Sequence, residues 1–167
     1  MEYRIVDKPG FSVVGKALRV STKDGENLRQ IPKFWDGCHS DGSFELLKRL
    51  AGDGAVLGDA VLGVCMDFAA DMSEFTYMIC VEAKDENSTG GMEAKSVPAH
   101  TWAVFDVSGP MPDAIQNVWS KIWSEFFSAN EYTHAPGPDI ERYPPGDPSQ
   151  PGYSSEVWVP VTRKQAN

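Results

Sequence analysis

Two acidic residues and two large aromatics near the C-terminus have the types and spacing for binding chemistry. In Asp139-Ile140-Glu141-Arg142-Tyr143 and Ser155-Glu156-Val157-Trp158-Val159-Pro160-Val161, strand alternation sorts side chains onto two faces. Glu141 and Tyr143 share a face of the first segment. In the second, Val157, Val159 and Val161 share one face, and Glu156 and Trp158 the other. The valines suit a core beneath a helix, so Glu156 and Trp158 are expected on the far face, with Glu141 and Tyr143 beside them. A carboxylate among aromatic rings favours an organic cation, because the ring quadrupole and the acid both attract positive charge and desolvation strengthens both. The alternative for the same pattern is the solvated outer face of an amphipathic sheet. From the first half of the chain, Tyr77 takes a place in its strand similar to that of Trp158. Trp35, Met66 and Phe68 are further candidates to line the groove.

Other constellations are weaker. The chain has no G-x-G-x-x-G, no Walker loop, no H-E-x-x-H and no G-x-S-x-G. His39 and His134 lie beside turns and His100 opens a strand, so all three read as structural. Cys38, Cys65 and Cys80 contain no C-x-x-C pair and read as small buried hydrophobes rather than a zinc cage or a disulfide framework. Asp67, Asp71 and Glu74 are close enough in sequence to suggest a metal cluster, but turn carboxylates are usually solvated, and neither metal nor cofactor is expected.

The elements that must hold these residues follow from the hydrophobic period. Tyr3 to Val6, Phe11 to Val20, Ala60 to Asp67, Phe75 to Glu82, Thr101 to Val107, Asp139 to Tyr143 and Ser155 to Val161 read as strands. Leu28, Ile31, Phe34 and Trp35 recur at helical spacing, with Pro32 one turn in and Asp36-Gly37 and Asp41-Gly42 as breaks. Ser43 is the expected cap of a second helix through Phe44, Leu47 and Leu50, ending at Gly52. Pro112 opens a third, whose stripe of Ile115, Val118, Trp119, Ile122, Trp123 and Phe126 reads as core. The hydrophilic stretch from Lys84 to Lys95 reads as an internal linker. The order strand–helix–hairpin thus occurs twice, in about residues 1–84 and 96–162. The fold class is α+β: two pseudo-repeated strand–helix–strand–strand units, each an antiparallel sheet with a helix on it, and a cleft between them on the faces away from the helices.

At 167 residues the chain is a single domain, 1–167. Fifteen Lys+Arg against 24 Asp+Glu give a net charge of −9, which excludes phosphate-driven binding of nucleic acid or of anionic membranes. With 41% hydrophobic and 11% aromatic residues it fills a core, which excludes intrinsic disorder. No apolar run approaches the ~20 residues of a membrane helix. Met1-Glu2-Tyr3-Arg4 lacks the layout of a secretory signal. The expected location is cytoplasmic, where the Asn87-Ser88-Thr89 sequon is idle.

Several segments together resemble the GyrI-like small-molecule-binding domain, the effector-binding module of AraC-type and MerR-type multidrug-responsive regulators. They are Ile31-Pro32-Lys33-Phe34-Trp35, Leu62-Gly63-Val64-Cys65, Phe75-Thr76-Tyr77, Ala103-Val104-Phe105 with Gly109-Pro110, Asp139 to Pro144, and Glu156 to Val161. Each is short, and their order and spacing from about Tyr3 to Val161 carry the likeness. It implies a duplicated fold with a cleft for lipophilic, often cationic compounds. By motif position Glu141 is similar to the family's pocket glutamate, Tyr77 to its pocket tyrosine, and Glu156 with Trp158 to the acid–aromatic pair of the last strand. The regulators carry a helix-turn-helix domain before this module, whereas here the module starts almost at Met1, so the resemblance implies a stand-alone binding domain rather than a DNA-binding regulator.

The leading expectation is a non-catalytic small-molecule-binding protein with a site of Trp35, Met66, Phe68, Tyr77, Glu141, Tyr143, Glu156 and Trp158. One alternative is a hydrolase of strained alkylating natural products with Glu141 as general base and a tyrosine donor, as in some stand-alone relatives. Another is a protein-interaction module of the DNA-gyrase-inhibitor type, its acidic surface matching a basic partner. A homodimer through an exposed edge strand is a further expectation.

Overall fold

The computed structural model describes residues 1–51, 54–83 and 89–165, and there the period-two segments are strands and the period-3.6 segments helices. The strands are β1 (Tyr3–Lys8), β2 (Phe11–Ser21), β3 (Val61–Met66), β4 (Glu74–Ala83), β5 (Glu93–Val97), β6 (His100–Ser108), β7 (Tyr132–His134), β8 (Asp139–Tyr143) and β9 (Ser154–Arg163). The helices are α1 (Glu26–Ser40), α2 (Ser43–Leu50) and α3 (Asp113–Lys121), the last continuing into a wider π turn at Ile122–Phe126.

All strands join one antiparallel sheet in the order β1-β6-β9-β8-β3-β4-β2-β5, with β7 also paired to β9. The two expected sheets are thus fused edge to edge through β3 and β8. Outward from that seam the order is β3, β4, β2 on one side and β8, β9, β6 on the other. Chain connectivity forces the sheet to curl. β1 and β2 are six strand spacings apart along the path, ~29 Å if flat, yet only Pro9 and Gly10 separate them in sequence, a link of ~10 Å at most. The register agrees: Lys8 faces His100 and Phe11 faces Val97, so the β1–β6 ladder runs on as the β2–β5 ladder across a shared break.

The curl gives the sheet two different faces. The inner one packs on itself, with Val13 of β2, Val97 of β5, Trp102 and Val104 of β6 and Trp158 of β9 in one buried cluster. Segment 54–60 adds Val56, Leu57 and Ala60 to it. The carboxylate of Glu82 anchors that segment by accepting the Val56 and Leu57 amides at 3.2 and 2.6 Å. The outer face carries the helices: α3 on Phe105, Val157 and Val159, and α1 with α2 on Phe75, Tyr77 and Ile79.

Local signals misplace several boundaries. Asp36-Gly37 does not break α1, because a helix-interior glycine costs only ~1 kcal/mol and Phe34, Trp35 and Cys38 keep the helix on the core across it. The break comes at Asp41 and Gly42, where Gly42 has φ +85°. Ser43 is the first residue of α2 rather than its cap; the Asp41 carboxylate accepts the Ser43 amide at 2.9 Å. Pro32 lies deeper than one turn, as the seventh residue of α1. Glu93 to Lys95 belong to β5 rather than a linker: a short polar strand has no periodic signature and is ordered by pairing with β2. Lys84 to Ser88 of that expected linker, the sequon residues Asn87 and Ser88, and the expected helix end at Gly52 lie outside the described residues.

Candidate functional site

Directly paired residues of an antiparallel sheet project to the same face. One row of pairs runs Phe105–Val157–Glu141–Gly63–Ile79 across β6, β9, β8, β3 and β4. The next runs Val104–Trp158–Ile140–Val64–Met78. The first row belongs to the helix-covered face and the second to the inner cluster. Glu141 therefore sits beneath the helices at the β3–β8 seam, where the two halves meet.

Four aromatic side chains converge there. Tyr143, two residues along β8, donates its hydroxyl to Glu141 Oε2 at 3.1 Å, and Trp119 of α3 donates its indole N–H to the same oxygen at 3.4 Å. Trp35 of α1 donates to the Tyr77 hydroxyl at 2.8 Å and meets the Tyr143 ring edge-on at 5.5 Å between centroids. Phe44 of α2 stacks on Trp35 at 5.9 Å. Gly63, with no side chain, leaves the space that Tyr77 and Trp35 occupy. Glu141, Tyr143, Trp35 and Trp119 all keep part of their surface in solvent, so the cluster reaches the surface beside α1 and α3.

Burial dominates the electrostatics. It raises the Glu141 carboxyl above its ordinary value, against the lowering effect of the Tyr143 and Trp119 hydrogen bonds. Burial, reinforced by the negative charge of Glu141, pushes the Tyr77 and Tyr143 phenols well up, so both remain protonated donors. Glu141 Oε1 and the Tyr77 hydroxyl proton have no hydrogen-bonding partner among the described residues. An acid and a spare hydroxyl among indole and phenol rings are groups that attract positive charge and apolar surface together. At the start of β8, the end away from Tyr143, Asp139 pairs with His134 at 2.6 Å, and Trp123 stacks on the imidazole at 5.9 Å.

The structure thus brings together Trp35, Tyr77, Glu141 and Tyr143 of the residues read from sequence. It separates Met66, Glu156 and Trp158 from them, onto the inner face. Phe68 packs beside Phe75 at 5.4 Å, on the α1 side. The register explains the split: Glu141 pairs with Val157, whereas Glu156 pairs with Arg142, so the two carboxylates project oppositely. Glu156 is bound by Arg4 at 2.9 Å and Arg142 at 3.2 Å, and accepts the Trp158 indole N–H at 3.1 Å. Those partners outweigh burial and lower its carboxyl. Sequence reasoning missed Trp119, whose helical spacing is that of a core residue; only the pairing of β8 under α3 brings Glu141 to it. Trp123, also expected in the core, is 56% exposed, while Ile122 and Phe126 of the same stripe are buried. Among the other candidates, Asp67 pairs with Lys95, Glu74 with Arg19, and Asp71 accepts the Ser73 amide.

The comparisons with known proteins agree with this fold. The structure of SAV2435 bound to tetraphenylphosphonium matches with a TM-score of 0.84 and 24% identity, over 97% of this chain and 94% of that one. A putative transcription regulation protein from Staphylococcus aureus MU50 matches at 0.79 and 24% identity, over 97% and 99%. The C-terminal domain of EcmrR matches at 0.61 and 18% identity, over 97% and 98%. None of the curated proteins matches. The model of the GyrI-like small molecule binding domain matches residues 1–162, and the chain belongs to that family.

Proposed function

We propose that the chain binds a lipophilic cation, without catalysis, in the cleft between α1 and α3. The observation that carries this reading is Glu141: a carboxylate among Trp35, Tyr77, Trp119 and Tyr143, with one oxygen that no protein group binds and no basic residue bonded to it among the described residues. A buried acid without a basic partner is costly, and a cation that brings its own apolar surface relieves that cost. The tetraphenylphosphonium in the SAV2435 structure supports the ligand class. With the free thiols of Cys38, Cys65 and Cys80, the same reading places the protein in the cytoplasm.

Tetraphenylphosphonium and tetraphenylborate have the same shape and opposite charge, which makes them the direct test. Calorimetric titration should give saturable binding of the phosphonium, weakened about tenfold or more in Glu141→Gln, and no binding of the borate. Equal binding of both ions, or an unchanged phosphonium affinity in Glu141→Gln, overturns the reading. Hydrolysis is the second reading, favoured by the unbonded Oε1, which is placed to accept a proton from water. Turnover of a strained electrophilic substrate by the wild type and not by Glu141→Gln would select it.

A further inference from the structure

The inner face holds a cavity that the cation cleft does not use. It has a volume of about 200 Å³ and is lined by Arg4, Val6, Lys8, Val56, Arg142, Glu156 and Trp158. Its charged groups are three cations and one anion, in a chain whose net charge is −9. Glu156 is already held by Arg4 and Arg142, and Arg4 also binds Asp106 at 3.3 Å, so the three cations are met by two carboxylates and one positive charge is left in excess. Lys8 forms no ion pair among the described residues.

We propose that this cavity is a second binding site, for a small oxyanion: a phosphate or carboxylate group held by Lys8 and Arg142. Arg142 is pre-positioned for the task. Its Nε donates to the Leu57 carbonyl at 3.0 Å and one terminal nitrogen to Glu156 at 3.2 Å, so the guanidinium is fixed while its other terminal nitrogen has no partner among the described residues. A fixed planar guanidinium with free N–H groups suits an oxyanion, and a nearby ammonium adds a point charge without a geometric demand. The volume sets the size. At about 30 Å³ per water it holds roughly six or seven waters, enough for an oxyanion of four or five heavy atoms with its remaining hydration. A multi-ring cation is both too large for it and of the wrong sign.

Inorganic phosphate and succinate, each titrated at constant ionic strength against sodium chloride, test the site and separate the two sources of oxyanion. The expected result is saturable binding of one or both at one per chain, with a shift of the Trp158 indole N–H signal in the proton–nitrogen spectrum and none of Trp119. Lys8→Gln, which breaks no ion pair among the described residues, should weaken that binding about tenfold, the loss of one charge-assisted contact. Glu141→Gln should leave it unchanged, which keeps failure here distinct from failure of the cation cleft. Absence of saturable binding of both anions, or equal binding by Lys8→Gln, overturns the proposal.

Discussion

Gly63 and Tyr77 share one small volume. A methyl group on Gly63 would press into the Tyr77 hydroxyl, the atom that accepts the Trp35 indole N–H at 2.8 Å. Tyr77 is 2% exposed and has no room to retreat, so the missing side chain at position 63 fixes the bond that ties α1 to β4.

Gly63→Ala should therefore cost about 1–3 kcal/mol by overpacking and detach Trp35 from Tyr77. Urea denaturation reads the first effect and the tryptophan near-ultraviolet dichroism the second. Wild-type stability with an unchanged spectrum would mean that Tyr77 finds another position.

Glu141→Gln should stabilise the empty protein at neutral pH while weakening tetraphenylphosphonium binding about tenfold or more. The sign follows from linkage. Burial raises the folded carboxyl of Glu141, so the folded chain holds a proton the unfolded chain has released, and stability is lost as pH rises from the ordinary glutamate range through the raised value. Each unit of upward shift corresponds to about 1.4 kcal/mol. Thermal melts from pH 4 to 8 should converge at the acid end and separate above it. Cation affinity should rise over the same interval in the wild type and stay flat in the variant.

Glu156→Gln should behave in the opposite way. It removes the shared partner of Arg4 and Arg142 and should cost about 1–3 kcal/mol, with tetraphenylphosphonium affinity unchanged because Glu156 lies on the other face. The lowered folded carboxyl contributes stability above the ordinary glutamate range, lost as pH falls through the lowered value. The gap between wild type and variant, measured by denaturant titration, should narrow in acid.

His134 gives a third pH signature. Burial lowers its value, but the hydrogen bond and charge of Asp139 raise it more, and the net direction is up. The pair thus contributes stability that is fully present below the ordinary histidine range and is lost as pH rises through the raised value. Histidine proton titration by nuclear magnetic resonance should place His134 above His100, which burial lowers. Asp139→Asn should bring the His134 midpoint down.

Much of this was legible in local sequence because it rests on local physics. The continuous apolar and aromatic run of Phe75 to Glu82 and the valine alternation of Ser155 to Val161 give strands wherever they are placed, and the apolar spacing from Ile31 to Trp35 gives a helix. Glu141, Tyr143, Tyr77 and Trp35 are the residue types a cation cleft needs, and the structure brings them together. β5 was not legible, because Glu93 to Lys95 are polar and their order comes from β2, more than seventy residues upstream in the chain.

Sequence by itself determined the class of the fold, the balance of charge and the acid–aromatic character of the candidate site. Tertiary structure alone decided which acid faces which partner. Side chains in a strand alternate with a period of two, so a register change of one residue exchanges the faces. No local feature of Asp139 to Tyr143 states whether Glu141 will pair with Val157 or with Glu156. The pairing of β8 between β9 and β3 fixes that register. It sends Glu141 toward Trp119 and Tyr143 beneath the helices, and Glu156 to the two arginines on the inner face.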